Sequence, residues 1–67
     1  MDKIYIHCDT ISQFKALREI QHSFLPEGVL SLKLIEDGIR LTDKTGATAD
    51  FIYFPESDTV LLKEKLK

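Results

Sequence analysis

The chain has 67 residues, of which 43% are hydrophobic and 30% charged, and a formal net charge of −2 at pH 7. These values are typical of a soluble globular domain, and the lack of a basic excess argues against nonspecific nucleic-acid binding. One cysteine excludes an intrachain disulfide, and no apolar run approaches the roughly 18 residues of a membrane span. We therefore expect one domain, residues 1–67, in the cytoplasm and without a signal peptide.

Residues 3–8 alternate between apolar and polar side chains, which predicts a first β-strand. Ile4, Ile6 and Cys8 share one face of this strand, while Tyr5 and His7 share the other. The strand is expected to join the sheet parallel to a later strand, so that the sheet is mixed.

A helix is predicted over residues 11–24. Thr10 and Gln13 match a capping box, in which each side chain accepts a hydrogen bond from a free backbone N–H of the other residue. Pro26 ends the helix, because the residue before a proline disfavours the α conformation. Four apolar side chains fall within one arc and are predicted to face the sheet: Phe14, Leu17, Ile20 and Phe24.

Residues 29–54 predict three consecutive antiparallel strands joined by two tight turns. Asp37 and Gly38 are expected to form a two-residue turn, because Asp-Gly tolerates the positive φ values that such turns require. This turn would pair Leu34 with Leu41.

The second turn is predicted as a three-residue loop, residues 44–46, with Gly46 in the left-handed conformation. This loop predicts three cross-strand pairs: Leu41 with Ala49, Ile39 with Phe51, and Arg40 with Asp50 as an exposed ion pair.

Both turns place the same apolar side chains towards the helix. The predicted core comprises Ile4, Ile6, Cys8, Phe14, Leu17, Ile20, Phe24, Leu30, Leu32, Leu34, Ile39, Leu41, Ala49 and Phe51.

Residues 57–66 are predicted as a short final helix, capped by Ser57 or Asp58, with Leu62 and Leu66 stacked four apart. A strand over residues 59–62 is the competing interpretation. The predicted element order is β-α-β-β-β-(α). This is an α+β fold with the helix packed on one face of a mixed sheet that contains the antiparallel three-stranded meander.

The triplet of His7, Cys8 and Asp9 is the most reactive combination in the sequence. A nucleophilic thiol needs a positioned base, but His7 and Cys8 are expected on opposite faces of one strand. A zinc site from His7, Cys8 and His22 lacks a fourth ligand and a recognised spacing. We therefore predict a protein that is not an enzyme and has no cofactor, and Cys8 is expected to be buried and inert.

The other face of the predicted sheet carries Ile35, Ile52 and Phe54, which need cover. Either the C-terminal segment or the sheet twist covers them, or they form a surface for a partner. The candidate partner surface comprises Tyr5, His7, Ile35, Arg40, Ile52 and Phe54.

The sequence carries no motif that identifies a family. The small size and the apolar second face favour a protein-interaction module that binds a protein partner, such as an inhibitor, an antitoxin-like or immunity-like protein, or a mobile-element accessory protein. A nucleic-acid-binding module that uses the open sheet face with Tyr5, Lys33 and Arg40 is the alternative. A homodimer that associates through the same patch is the third hypothesis, and no membrane partner is expected.

Overall fold

A computed structural model describes residues 4–65 of the chain, with side chains as far as Lys63. Lys3 and Leu66, which belong to the predicted first strand and final helix, lie outside the described residues. The elements are an α-helix, α1 (Ile11–Ser23), a short 3-10 turn (Pro26–Gly28), and four strands, β1 (Val29–Ile35), β2 (Gly38–Asp43), β3 (Thr48–Phe54) and β4 (Thr59–Lys65). The strands form one antiparallel sheet in the order β1-β2-β3-β4, and α1 packs on one face of it. This confirms the α+β fold and its meander.

The predicted first strand is wrong, because residues 4–8 pair with no strand of the described sheet. The segment lies beside the helix, where the side-chain amide of Gln21 donates a hydrogen bond to the carbonyl of Ile4 at 2.7 Å. Ile4 is buried, and Ile6 and Cys8 pack against the core with partial burial. Their alternation therefore reflects packing beside α1, and the described sheet is antiparallel throughout instead of mixed.

The helix begins with the predicted capping box. The hydroxyl of Thr10 accepts from the backbone N–H of Gln13 at 3.1 Å, and the Gln13 side-chain oxygen accepts from the backbone N–H of Thr10 at 3.1 Å. The same oxygen accepts from the Asp9 N–H at 2.8 Å, while the Gln13 amide nitrogen donates to the carbonyl of Ile35 at 2.8 Å. One side chain thus caps α1 and joins it to the end of β1.

These bonds shift the buried side of α1 from its predicted position. Gln13 and Ala16 are buried together with Leu17 and Ile20. Because its polar atoms are satisfied, Gln13 occupies an interior position that periodicity assigns to an apolar residue. Phe14 turns outwards and is 51% exposed, so its assignment to the core is wrong.

The β1–β2 turn lies one residue earlier than predicted. Residues 36–37 occupy it and Ile35 pairs with Gly38, which pairs Leu34 with Ile39 instead of Leu41. A two-residue turn that moves by one position shifts the pairing by two, and side-chain alternation has a period of two. Leu34 therefore still faces α1, as it does in the predicted register.

Gly38 is needed for a reason that the sequence pattern does not reveal. It lies outside the left-handed region, which among the described glycines only Gly46 occupies. A β-carbon at Gly38 would overlap the backbone carbonyl oxygen of Phe51 on the neighbouring strand. The glycine therefore permits β2 and β3 to approach closely beside the turn.

A β-bulge at the start of β1 corrects two further predictions. Val29 pairs with Asp43 and Ser31 pairs with Thr42, which leaves Leu30 as the extra residue. Val29 is buried and Leu30 is 60% exposed. Regular alternation predicts the reverse, with Leu30 in the core and Val29 on the other face.

The β2–β3 turn confirms the prediction. The N–H of Asp43 donates to the carbonyl of Ala47 at 3.0 Å, and Gly46 has a φ of 90°. The Asp43 carboxylate also accepts from the hydroxyl and the N–H of Thr45, at 2.6 and 2.8 Å. The hydroxyl bond is the main cause of the lowered pKa of Asp43.

The predicted final helix is wrong, and the competing strand interpretation is correct. β4 pairs along its whole length with β3. Thr59 and Val60 are β-branched, and such side chains favour a strand over a helix.

The core lies between α1, the N-terminal segment and the sheet. Its buried apolar members are Ile4, Ala16, Leu17, Ile20, Val29, Ile39, Leu41 and Phe51. The ring of Phe24 meets Phe51 edge to face, with centroids 5.7 Å apart. Ile6, Cys8, Phe24, Leu32, Leu34, Ala49 and Val60 surround this core with partial burial.

Candidate functional site

The face of the sheet away from α1, here called the uncovered face, is the first candidate site. The helix and the N-terminal segment pack with the core on the opposite face. α1 is the described α-helix that packs on the sheet, and it lies on the opposite face. Strand register determines which side chains share the uncovered face.

Four apolar side chains form one patch on the uncovered face, here called the apolar cluster. Cross-strand pairing aligns Ile35 with Gly38, Gly38 with Ile52, and Ile52 with Leu61. Phe54 lies on the same face, two residues beyond Ile52 on β3. Leu61 is 55% and Phe54 is 41% exposed, while Ile35 and Ile52 are half-buried. Gly38, which lies between the two isoleucines in this row, is buried and adds no side chain to the patch.

A charged row follows the apolar cluster towards the other end of the strands. Pairing aligns Lys33 with Arg40, Arg40 with Asp50, and Asp50 with Lys63. Three cations and one anion give this row a formal charge of +2, in a chain whose formal charge is −2. The uncovered face therefore combines an apolar end with a positively charged middle.

Arg40 and Asp50 form the predicted pair, but the pair is not exposed as expected. The guanidinium donates to both carboxylate oxygens, at 2.8 and 3.2 Å. The Asp50 side chain is only 10% exposed. The bond to Asp50 is the main cause of the raised pKa of Arg40, which keeps this cation charged. Such a forked pair fixes the arginine head flat against the sheet.

The structure separates two of the six candidate surface residues from the others. Ile35, Arg40, Ile52 and Phe54 lie together on the uncovered face. Tyr5 lines a groove with five residues of α1, namely Phe14, Leu17, Arg18, Gln21 and His22, and His7 lines a neighbouring groove of the same segment. The stacking platform of Tyr5 with Lys33 and Arg40 is therefore not formed, because residues 4–8 are not part of the sheet.

A second concave region lies between α1 and the β3–β4 hairpin, with a volume of about 400 Å³. Within it, the hydroxyl of Tyr53 donates to Asp58 at 2.7 Å and the Lys15 ammonium lies 3.5 Å from the same carboxylate. The bond from Tyr53 is the main cause of the lowered pKa of Asp58, and the bond to Asp58 raises the pKa of Tyr53. A phenol with a raised pKa stays protonated and keeps its bond to Asp58, so this cluster braces the hairpin to the helix.

Cys8 does not have the environment of a reactive thiol. Its Sγ donates to the carbonyl of Ile6 at 3.4 Å. Burial, and secondarily the carboxylate of Asp9, raises the pKa of the Cys8 thiol. Because the thiolate is the nucleophile, this environment lowers reactivity. Among the side chains that the structure describes, which end at Lys63, no three of His, Cys, Asp or Glu are grouped to hold a metal ion.

Leu61 and Lys63 are the members of the uncovered face that the sequence interpretation missed. Both lie on β4, where the sequence predicts a helix, and helical periodicity does not assign them to a sheet face. The β-branched pair Thr59 and Val60 ahead of two leucines is the signal that favours the strand.

None of the helices within residues 4–65 has the length and apolarity to cross a membrane. Comparison of the chain with protein-family models, curated proteins and solved structures finds no match.

Proposed function

We propose that the chain is a protein-binding module and that the uncovered face is its binding surface. The observation that carries the proposal is the apolar cluster of Ile35, Ile52, Phe54 and Leu61 on the sheet face opposite α1. Contiguous apolar patches on small soluble domains commonly mark interaction sites.

The partner surface is expected to be apolar at its centre and acidic on one side. The apolar cluster supplies the area that is removed from water, at about 25 cal/mol per Å². The charged row beside it carries more cations than anions, so an acidic flank on the partner complements it. The Arg40–Asp50 pair holds its arginine in place before binding, which lowers the entropic cost of contact.

A protein fits this face better than a nucleic acid does. Phe54 is the single aromatic side chain of the face among the described residues, and it lies at a strand end instead of in the charged row. Acidic residues flank the apolar end in the turns, namely Glu36, Asp37, Glu56 and Asp58. These carboxylates repel a phosphate backbone.

The test compares three substitutions. Phe54→Ser and Ile52→Thr change the uncovered face, and Phe14→Ser removes a phenylalanine of comparable exposure from the helix side. A partner is captured from cells of the host with the unaltered chain, purified, and titrated against each folded variant. We expect Phe54→Ser and Ile52→Thr to weaken binding by about tenfold or more, as removal of a central apolar contact does. Phe14→Ser should bind like the parent chain.

The opposite ranking, with Phe14→Ser the weakest binder, would overturn the proposal. Single-stranded oligonucleotides provide a second control under the same conditions. Tight oligonucleotide binding that weakens steeply with salt and is lost on substitution of Lys33 and Lys63 would assign the face to nucleic acid instead.

A further inference from the structure

The two edge strands of the sheet, β1 and β4, differ in how readily another strand could pair with them. At β1, the bulge at Leu30 interrupts the regular alternation. This irregularity hinders the addition of another strand. β4 pairs with β3 in unbroken register from Thr59 to Lys65, and no strand among residues 4–65 pairs with its outer side.

The side chains of β4 indicate what kind of structure would complete this edge. Leu61 pairs with Ile52 on the uncovered face, and Leu62 pairs with Phe51 on the helix face. They are 55% and 49% exposed although they point in opposite directions. A partner lying on one face would cover only one leucine. A strand alongside β4 places side chains next to both.

We propose that the missing strand is β4 of a second copy of this chain, paired antiparallel about a two-fold axis through Leu61. In this register Leu61 faces Leu61 of the second copy, and Val60 faces Leu62 on the helix side. Thr59 then faces Lys63, one residue from the carboxylate of Asp58. Each described apolar side chain of the strand meets an apolar one, and the lysine approaches an anion.

The next two registers towards the end of β4 are less favourable. Centring the pair on Leu62 sets Leu61 against Lys63, and centring it on Lys63 sets two lysines against each other. The helix leaves room for the proposed pair, because α1 packs mainly over β2 and β3. The resulting eight-stranded sheet joins the two apolar clusters into one continuous row across the axis. This pairing does not depend on the proposed function of the uncovered face.

Cysteine cross-linking tests the register directly. In a Cys8→Ser background, a cysteine at a position on the two-fold axis meets its own copy at the 4.5–5.5 Å Cα separation of antiparallel pairs, within the range of a disulfide. Leu61→Cys should therefore form a disulfide-linked dimer under a mild oxidant about tenfold faster than Leu62→Cys, whose partner in the register is Val60. A faster reaction of Leu62→Cys, or equal rates, would overturn the proposed register.

Sedimentation equilibrium tests the association itself. The unaltered chain should show a concentration-dependent monomer–dimer equilibrium, and Leu62→Lys should shift it towards the monomer by about tenfold or more. Ile52→Thr, which changes the uncovered face but not the β4 edge, should leave the equilibrium unchanged. A monomer at every concentration up to the millimolar range would refute the edge pairing. Loss of the dimer in Ile52→Thr but not in Leu62→Lys would show instead that copies meet face to face.

Discussion

The two faces of the sheet carry adjacent rows of mostly apolar residues but differ in what covers them. On the helix side, register aligns Leu34, Ile39, Phe51 and Leu62; one residue along, the uncovered face has Ile35, Gly38, Ile52 and Leu61. Ile39 is fully buried under α1, whereas Ile52 is half-buried. Apolar character alone therefore does not identify the core face in this chain. The position of the helix identifies the core face, and the Gln13 side chain joins the helix to the end of β1.

The largest expected effect comes from a matched pair of truncations on the two faces. Ile39→Ala should lower the free energy of unfolding by about 2–5 kcal/mol, because it leaves a cavity under the helix. Ile52→Ala removes the same atoms from a half-exposed site and should cost about 1–2 kcal/mol. Urea unfolding of the two variants measures both values. Equal losses would mean that Ile52 is covered as fully as Ile39.

An intermediate effect is expected at the polar contact between the helix and the end of β1. Gln13→Ala removes the side-chain partner of the Ile35 carbonyl and of two backbone N–H groups. We expect a loss of about 1–3 kcal/mol, since these groups are partly buried. Gln21→Ala, which removes a single bond from an exposed residue, is the control and should cost less. An equal cost for the two glutamines would contradict the role assigned to Gln13.

The smallest expected effect concerns the brace between the β3–β4 hairpin and α1. The Tyr53 hydroxyl is the main cause of the lowered pKa of Asp58. A carboxylate with a lowered folded-state pKa contributes stability above its unfolded pKa and loses that contribution as pH falls through the folded value.

Tyr53→Phe should therefore be slightly less stable than the parent chain at pH 7, and this difference should shrink as pH falls towards about pH 3. Urea midpoints across this range measure the change. Tyr5→Phe removes an exposed hydroxyl that makes no contact with Asp58 and should follow the parent chain at every pH. A Tyr53→Phe difference that grows in acid would contradict the assignment.

The sequence predicts a turn correctly where the turn is stabilised by its own residues. The β2–β3 loop is correct in length, register and glycine conformation, because Asp43 and Gly46 satisfy the turn locally. The β1–β2 turn lies one residue from its predicted position. The need for glycine at position 38 comes from the close approach of the Phe51 backbone on another strand. A contact of this kind has no signature in the neighbouring sequence.

The other errors share a cause in tertiary packing. Residues 4–8 have the alternation of a strand but find their packing partner in the helix. Phe14, which periodicity assigns to the core, is exposed. Gln13 is buried in its place, because hydrogen bonds satisfy its polar atoms in the interior. Four of the six candidate surface residues lie together, and Leu61 was missed with the strand that carries it. The alternation of side chains along the strands predicts the patch. Its extension onto β4 is not predicted.

The bulge at Leu30 has a consequence for how many copies can assemble. A sheet with two regular edges lets identical chains add on either side, which produces an open-ended filament. The irregular first edge leaves one side of each copy suited to joining another. Growth by the proposed pairing of β4 would then stop at a closed pair, so a single extra residue at the start of β1 would set the stoichiometry of the assembly.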